Sequence, residues 1–220
     1  MCGRFAFYST IAAINKSINI KVITCSVESS YNIAPLSEVL TVIRDGDLKL
    51  GKLKWGFVPS FAKDTKLASK MINARFETIS EKPSFKRSYS KKRCIILANG
   101  FYEWRKEKDG KQPYYIYIPT REILTFAGIF EIWNKKYKSC AIITKDSSSD
   151  ISKIHPRMPV VLKENALMDW LDKDITDKDA LNEIIQENCE DSFSFHKVSK
   201  DVNYTQKNSK KCISVLTESL

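Results

Sequence analysis

The chain has 220 residues, 43% of them hydrophobic and 11% aromatic, with only seven glycines and seven prolines. This balance excludes fibrous, low-complexity and wholly disordered classes and predicts one globular domain over residues 1–220. Lysine and arginine number 36 against 26 acidic residues, and the net charge of +10 favours a polyanionic partner, nucleic acid foremost, with a lysine-solubilised surface as the plainer alternative. No run approaches the roughly 18 apolar residues of a membrane span, and the six cysteines show no C-x-x-C spacing, which argues against membrane, zinc and disulfide-framework classes.

The chain opens Met1-Cys2-Gly3-Arg4. Loss of Met1, which a small second residue permits, leaves Cys2 with a free α-amine beside its thiol. Such a 1,2-aminothiol condenses with an aldehyde to an imine, and the thiol then closes a five-membered thiazolidine. The second attack is intramolecular, with effective molarities on the order of 10⁵–10⁸ M in well-oriented cases. An incidental cysteine at a frayed terminus is the competing reading. Ser9 or Thr10 caps a short predicted helix through residue 18. Residues 39–44 and 48–55 read as a hairpin around Asp45-Gly46-Asp47.

Tyr31-Asn32-Ile33-Ala34-Pro35 and Trp55-Gly56-Phe57-Val58-Pro59 join aromatic residues to prolines at strand ends. Trp55 is expected in the core. Phe57 and Phe61 are the better candidates for exposed rings, able to stack on unpaired bases at about 1–3 kcal/mol each. From Met71 to Thr78 the residues Asn73, Arg75 and Glu77 alternate, and on an extended segment they share one face. Lys82, Lys86, Arg87, Lys91, Lys92 and Arg93 follow, a candidate phosphate track.

Cys94 and Cys140 lie in apolar strand-like runs and read as buried thiols. In Gly100-Phe101-Tyr102-Glu103-Trp104, Glu103 sits between aromatics. Desolvation there raises its pKa and suits it to deliver a proton near neutral pH; a surface glutamate on an alternating strand is the alternative. Residues 102–105 and 114–118 form a second hairpin across Glu107-Lys108-Asp109-Gly110-Lys111, and 124–133 pairs with 138–144. His155, one of two histidines, occupies the proline-stiffened Ile154-His155-Pro156-Arg157-Met158-Pro159, where acid/base residues are often placed. His196 reads as a strand residue with a structural hydrogen bond. Helices are expected over 163–171 and 176–188, and short strands over 193–198 and 212–216. Strands outnumber helices without alternating with them, which predicts an α+β domain with a mostly antiparallel, barrel-like β-sheet core flanked by helices.

Taken together, Met1-Cys2-Gly3-Arg4-Phe5, the Tyr31 to Pro35 and Trp55 to Pro59 segments, Asn73-Ala74-Arg75-Phe76-Glu77-Thr78, Gly100 to Trp104 and His155 to Pro159 resemble the SOS-response-associated peptidase family in order and spacing. The likeness runs on to Val198-Ser199 and Val202-Asn203. It implies a sensor of abasic sites in single-stranded DNA that links itself covalently to the ring-opened sugar through Cys2, the family name recording an inferred self-removal of Met1. It implies that Asn73, Glu103 and His155 line the reaction centre and that Arg4, Arg75 and Arg157 meet phosphates. Pro35, Met158 and the region from Phe57 to Phe61 would face or wedge bases. The chain departs from some members in that Pro59-Ser60-Phe61-Ala62-Lys63 lacks a second tryptophan. No metal or cofactor is implied. The expected setting is a cytoplasmic monomer, nucleoid-associated in a bacterium, with strand-cleaving lyase activity as a side reaction.

Other readings stay open. An N-terminal Cys-Gly also begins glutamine amidotransferases, where thiol and α-amine act as nucleophile and base, and Asn99-Gly100 resembles their amide-binding loop. A non-covalent single-strand binding module with an inert Cys2 accounts for the charge and the aromatics. A peptidase acting on other proteins is a further reading, without a substrate cleft visible in the sequence.

Overall fold

A computed structural model describes residues 2–216. In chain order its strands are β1 (Phe5–Phe7), β2 (Val22–Ile23), β3 (Ser30–Ile33), β4 (Glu38–Asp45), β5 (Asp47–Trp55), β6 (Asn73–Arg75), β7 (Arg93–Ala98), β8 (Gly100–Glu107), β9 (Gly110–Tyr117), β10 (Leu124–Trp133), β11 (Tyr137–Asp146), β12 (Arg157–Pro159) and β13 (Ser194–Lys197). The helices are α1 (Ile11–Ser17), α2 (Phe76–Ile79), α3 (Lys86–Lys91), α4 (Ser149–Ser152), α5 (Leu167–Leu171) and α6 (Lys178–Glu187).

Five strands close a barrel. Antiparallel pairing runs β5–β4–β7–β10–β11, and a parallel contact of Ser139 and Cys140 with Lys54 and Trp55 returns β11 to β5. Beyond the closure β11 continues and gains new neighbours: β6 takes over the edge that β5 leaves, and β12 the edge that β10 leaves. Asn73 and Arg157 therefore flank one strand end although 84 positions of chain order separate them. A second sheet, antiparallel throughout, has the order β13–β9–β8–β1–β3. This is the expected α+β architecture with a mostly antiparallel barrel.

The sheet packs on the barrel through rings. Phe5 meets Trp55 at 5.1 Å and Phe126 at 5.8 Å, and Phe101 meets Phe126 at 6.1 Å between centroids. Period two then sorts β8: Phe101 belongs to this core, whereas Tyr102 and Trp104 pack with Ala6 and Tyr115 on the other face. Glu103, two positions from Phe101, is thereby turned toward the barrel with 2% of its surface exposed. Gly100 permits the close approach of neighbouring β9 within the sheet, since a Cβ there would lie 2.5 Å from the Tyr115 ring and 2.6 Å from the Ile116 carbonyl oxygen.

Local chemistry explains the element ends. Thr10 accepts a hydrogen bond from the Ala13 amide at 3.2 Å and caps α1, while Ser9 is buried and accepts from the Asn99 side chain. Gly46 at φ 71° and Gly110 at φ 108° make the two tight hairpins. In the third, Asn134 and Lys135 take positive φ without any glycine. Two local expectations fail. Residues 212–216 form no strand; a 3-10 turn at Lys210–Cys212 buries Cys212, and only the Leu216 amide reaches the Lys197 carbonyl. The extended segment ends at Arg75, so Glu77 lies on α2 and not on one strand face with Asn73 and Arg75.

Because Phe5 fills the seam between barrel and sheet, Phe5→Ala should cost roughly 3–5 kcal/mol. Urea unfolding followed by tryptophan fluorescence checks this, and a loss below 1 kcal/mol would show that the seam tolerates a void.

Candidate active site

Cys2 is fully buried, directly ahead of β1. Its carbonyl oxygen accepts a hydrogen bond from Asn73 Nδ2 at 2.8 Å, which ties the start of the chain to β6. The Asn73 Oδ1 is buried without a hydrogen-bond partner among the described residues. The Cys2 thiol lies 3.9 Å from the Arg4 carbonyl oxygen. Burial, reinforced by the negative charge of Glu103, pushes its pKa far up, so the thiol rests protonated.

Glu103 and His155 meet beside it, with Glu103 Oε2 3.9 Å from His155 Nε2. Desolvation pushes the Glu103 carboxyl up to about 7. The same cause lowers the pKa of half-buried His155, leaving it neutral at physiological pH. His155 Nδ1 lies 3.0 Å from the Arg157 amide and 3.1 Å from the Arg157 carbonyl oxygen. The other ring nitrogen, Nε2, faces Glu103. A carboxyl raised to about 7 beside an imidazole that burial keeps neutral forms an acid and base pair suited to passing protons near pH 7.

Arg157 is held inside the protein. Its guanidinium donates to both Glu77 oxygens at 2.8 and 2.9 Å, to Asp146 at 2.7 Å and to the Thr144 carbonyl at 2.6 Å. These bonds anchor the His155 loop to β11 and α2. Arg4 is likewise committed, its Nη1 donating to Asn32 Oδ1 at 2.7 Å and to the Val202 carbonyl at 2.6 Å. Met158, expected to face bases, is fully buried, its sulfur accepting from the Ser148 amide at 3.5 Å.

Phe57 is fully buried as well, its ring 5.5 Å from Phe85 and its amide bonded to the Met71 carbonyl. The expectation of an exposed ring there is corrected. Phe61, inside the turn closed by the Ala62 amide and the Pro59 carbonyl, is 66% exposed. Arg75 is exposed and Pro35 partly so. The basic run divides: Lys82, Lys86, Arg87 and Lys91 face solvent, Lys92 pairs with buried Glu131, and Arg93 is sealed against the carbonyls of Trp170, Tyr89 and Ser90.

Asp146 and Thr144 escaped notice in the sequence, because an Asp or Thr at a strand end carries no signal until its arginine partner is known. Asn99 cannot serve an amide-binding loop. Its side chain already bonds the Tyr8 amide, Ser9 Oγ and the Glu122 carbonyl at 2.6, 2.6 and 2.5 Å. His196 meets the Ile213 carbonyl at 2.8 Å, a structural contact as expected.

The raised Glu103 pKa has a stability consequence. The folded carboxyl holds its proton more tightly than the unfolded chain does, so its contribution is fully present below the ordinary carboxylate range and is lost as pH rises to about 7. Glu103→Gln should abolish that loss and gain on the order of 3 kcal/mol over the wild type above neutrality, with little difference in acid. Denaturant titrations at a series of pH values check the sign; parallel curves for the two proteins would refute the shift.

The sequence profile of the family described as SOS response associated peptidase (SRAP) matches residues 1–205. The abasic site processing protein YoqW of Bacillus subtilis (strain 168) is 41% identical over 221 residues, spanning 97% of this chain and 99% of its own. The abasic site processing protein HMCES of Xenopus tropicalis is 33% identical over 226 residues, spanning 86% of this chain and 67% of its own. A crystal structure of a protein from Bacteroides thetaiotaomicron superposes with a TM-score of 0.75 at 26% identity, covering 85% of each chain. The chain belongs to the SOS response associated peptidase family.

Proposed function

We propose that this protein processes abasic sites in single-stranded DNA by joining itself covalently to the damaged sugar through Cys2 once Met1 has been removed. The observation that carries the reading is the convergence of a buried Cys2, tethered by Asn73, with the Glu103 and His155 pair. The names of the relatives support the substrate class.

An abasic deoxyribose equilibrates between a closed hemiacetal and an open aldehyde at C1′. Neutral His155 assists opening by exchanging protons with the sugar oxygens. The Cys2 amine adds to C1′, and protonated Glu103 gives its proton to the carbinolamine oxygen, which leaves as water. The imine carbon then takes the sulfur as the thiol proton passes to the nitrogen. One aldehyde and one aminothiol give one thiazolidine and one water. Burial dictates this order, because a thiol held protonated is a poor first nucleophile and the amine acts before it. The buried Asn73 Oδ1 is an acceptor for a hydroxyl of the opened sugar. An imine that escapes closure undergoes β-elimination, giving lyase activity as a side reaction.

Phe61 is an exposed ring available for stacking, and Arg75 with Lys82, Lys86, Arg87 and Lys91 supplies exposed positive charge for the strand's phosphates. One chain contains every residue invoked, so a monomer suffices. Single-stranded DNA exposes the sugar without the cost of opening a duplex.

Incubated with an oligonucleotide carrying one abasic site, the wild type should give a shifted band on a denaturing gel. Cys2→Ala should give none, and an undiminished band from that variant would overturn the mechanism. Glu103→Gln should slow adduct formation by roughly 10²–10⁴-fold, and the wild-type rate should fall as pH rises beyond about 7, where the acid is lost. Phe61→Ala should weaken single-strand binding by about 1–3 kcal/mol, read by fluorescence anisotropy, while leaving the fold intact.

A further inference from the structure

A second reactive cluster lies at the strand end that anchors Arg157, where alternation turns Lys145 to the face opposite Thr144 and Asp146. Lys145 Nζ is 2.7 Å from Cys189 Sγ and 2.6 Å from Asp191 Oδ1, and the sulfur is 3.9 Å from the same carboxylate oxygen. The nitrogen and sulfur are inside ordinary van der Waals separation. Cys189 follows α6 and is bridged to Leu162, and Lys145 pairs with Met158 across β11 and β12. The side chain of Asp191 is 63% exposed and that of Lys145 only 19%, so the cluster is enclosed on the protein side and open past Asp191 to small solutes. Among the described cysteines no other has an amine within hydrogen-bond distance; the thiols of Cys2 and Cys212 face backbone carbonyls. The proposed DNA chemistry uses none of these three groups.

We propose that Lys145 and Cys189 form a reversible nitrogen–oxygen–sulfur bridge when the protein meets peroxide. A first peroxide oxidises the thiol to a sulfenic acid and leaves as water, breaking S–H and forming S–O. The neutral lysine amine, the sulfenic oxygen and a second peroxide then give the N–O bond and two waters. Nitrogen and sulfur each lose two electrons, and the two peroxides accept the four. Two equivalents of a dithiol, each oxidised to its disulfide, return the four electrons with four protons and release the bridging oxygen as water. The separation of 2.7 Å is too long for a direct S–N bond and accommodates one intervening oxygen without moving either backbone. Asp191 holds Lys145 at the sulfur, and the proton that the ammonium must lose passes to solvent beside the exposed carboxylate.

The position gives the bridge a consequence. Thr144 and Asp146, on either side of Lys145, hold Arg157 and with it the His155 loop. Linking Lys145 to Cys189 fastens this strand end to the segment after α6, so an oxidant stiffens the frame of the reaction centre without touching Cys2.

The test needs no DNA, so its outcome is separable from that of the proposed function. Reduced full-length protein is treated with excess hydrogen peroxide, digested, and mapped by mass spectrometry with and without dithiothreitol. The expected result is a joined pair of peptides containing Lys145 and Cys189, with the mass of the two plus one oxygen and minus two hydrogens. Dithiothreitol should abolish it, and Lys145→Met and Cys189→Ser should each lack it. The bridged form should also show a raised Tm that falls back on reduction. Recovery of Cys189 unmodified or as sulfinic or sulfonic acid, with trypsin still cleaving after Lys145, would overturn the proposal. So would a joined mass lacking the extra oxygen, which marks a direct S–N bond.

Discussion

The site depends on the burial of β1 in the seam between barrel and sheet. Phe5 contacts Trp55 of β5 and Phe126 of β10, and the Tyr102 amide donates to the Arg4 carbonyl at 2.9 Å, so residues 2–4 enter the protein on a fixed path. A chain terminus ordinarily frays, because ordering it costs about 1–2 kcal/mol per residue with little in return. Here the buried ring offsets that cost. Cys2 is three positions from the anchor, close enough that the bond from Asn73 to its carbonyl completes the constraint.

A single physical cause then sets three protonation states. Removing Cys2, Glu103 and His155 from water raises the thiol, raises the carboxyl to about 7 and lowers the imidazole. Each group is driven toward its neutral form, so the centre rests as a thiol, a partly protonated acid and a neutral base. Opposite charges do the contrary work at the periphery. Arg157 is kept ionised by Glu77 and Asp146 and serves as a brace. Positive charge available to a polyanion belongs to residues such as Arg75, Lys82 and Lys86, which the fold leaves in solvent.

The pattern of residues alone carried the hairpins at Gly46 and Gly110, a cap at Ser9 or Thr10, the long paired strands of the barrel and the α+β class, because these follow from local periodicity and turn chemistry. It also marked Cys2, Asn73, Glu103 and His155 as chemically unusual. Tertiary structure decided the rest. Phe57 and Met158 are as aromatic or apolar as any surface ring or wedge, and only packing against Phe85 and α4's flank buries them, leaving Phe61 as the exposed ring. The partners that hold Arg4 and Arg157 in the fold, the Val202 carbonyl for the first and Glu77 and Asp146 for the second, carry no mark in the residue pattern. Glu77 left its expected stripe because the strand stopped at Arg75. The physical reason is common to all: periodicity fixes which way a side chain points, whereas burial and pairing depend on groups far apart in chain order that only the closed barrel brings together.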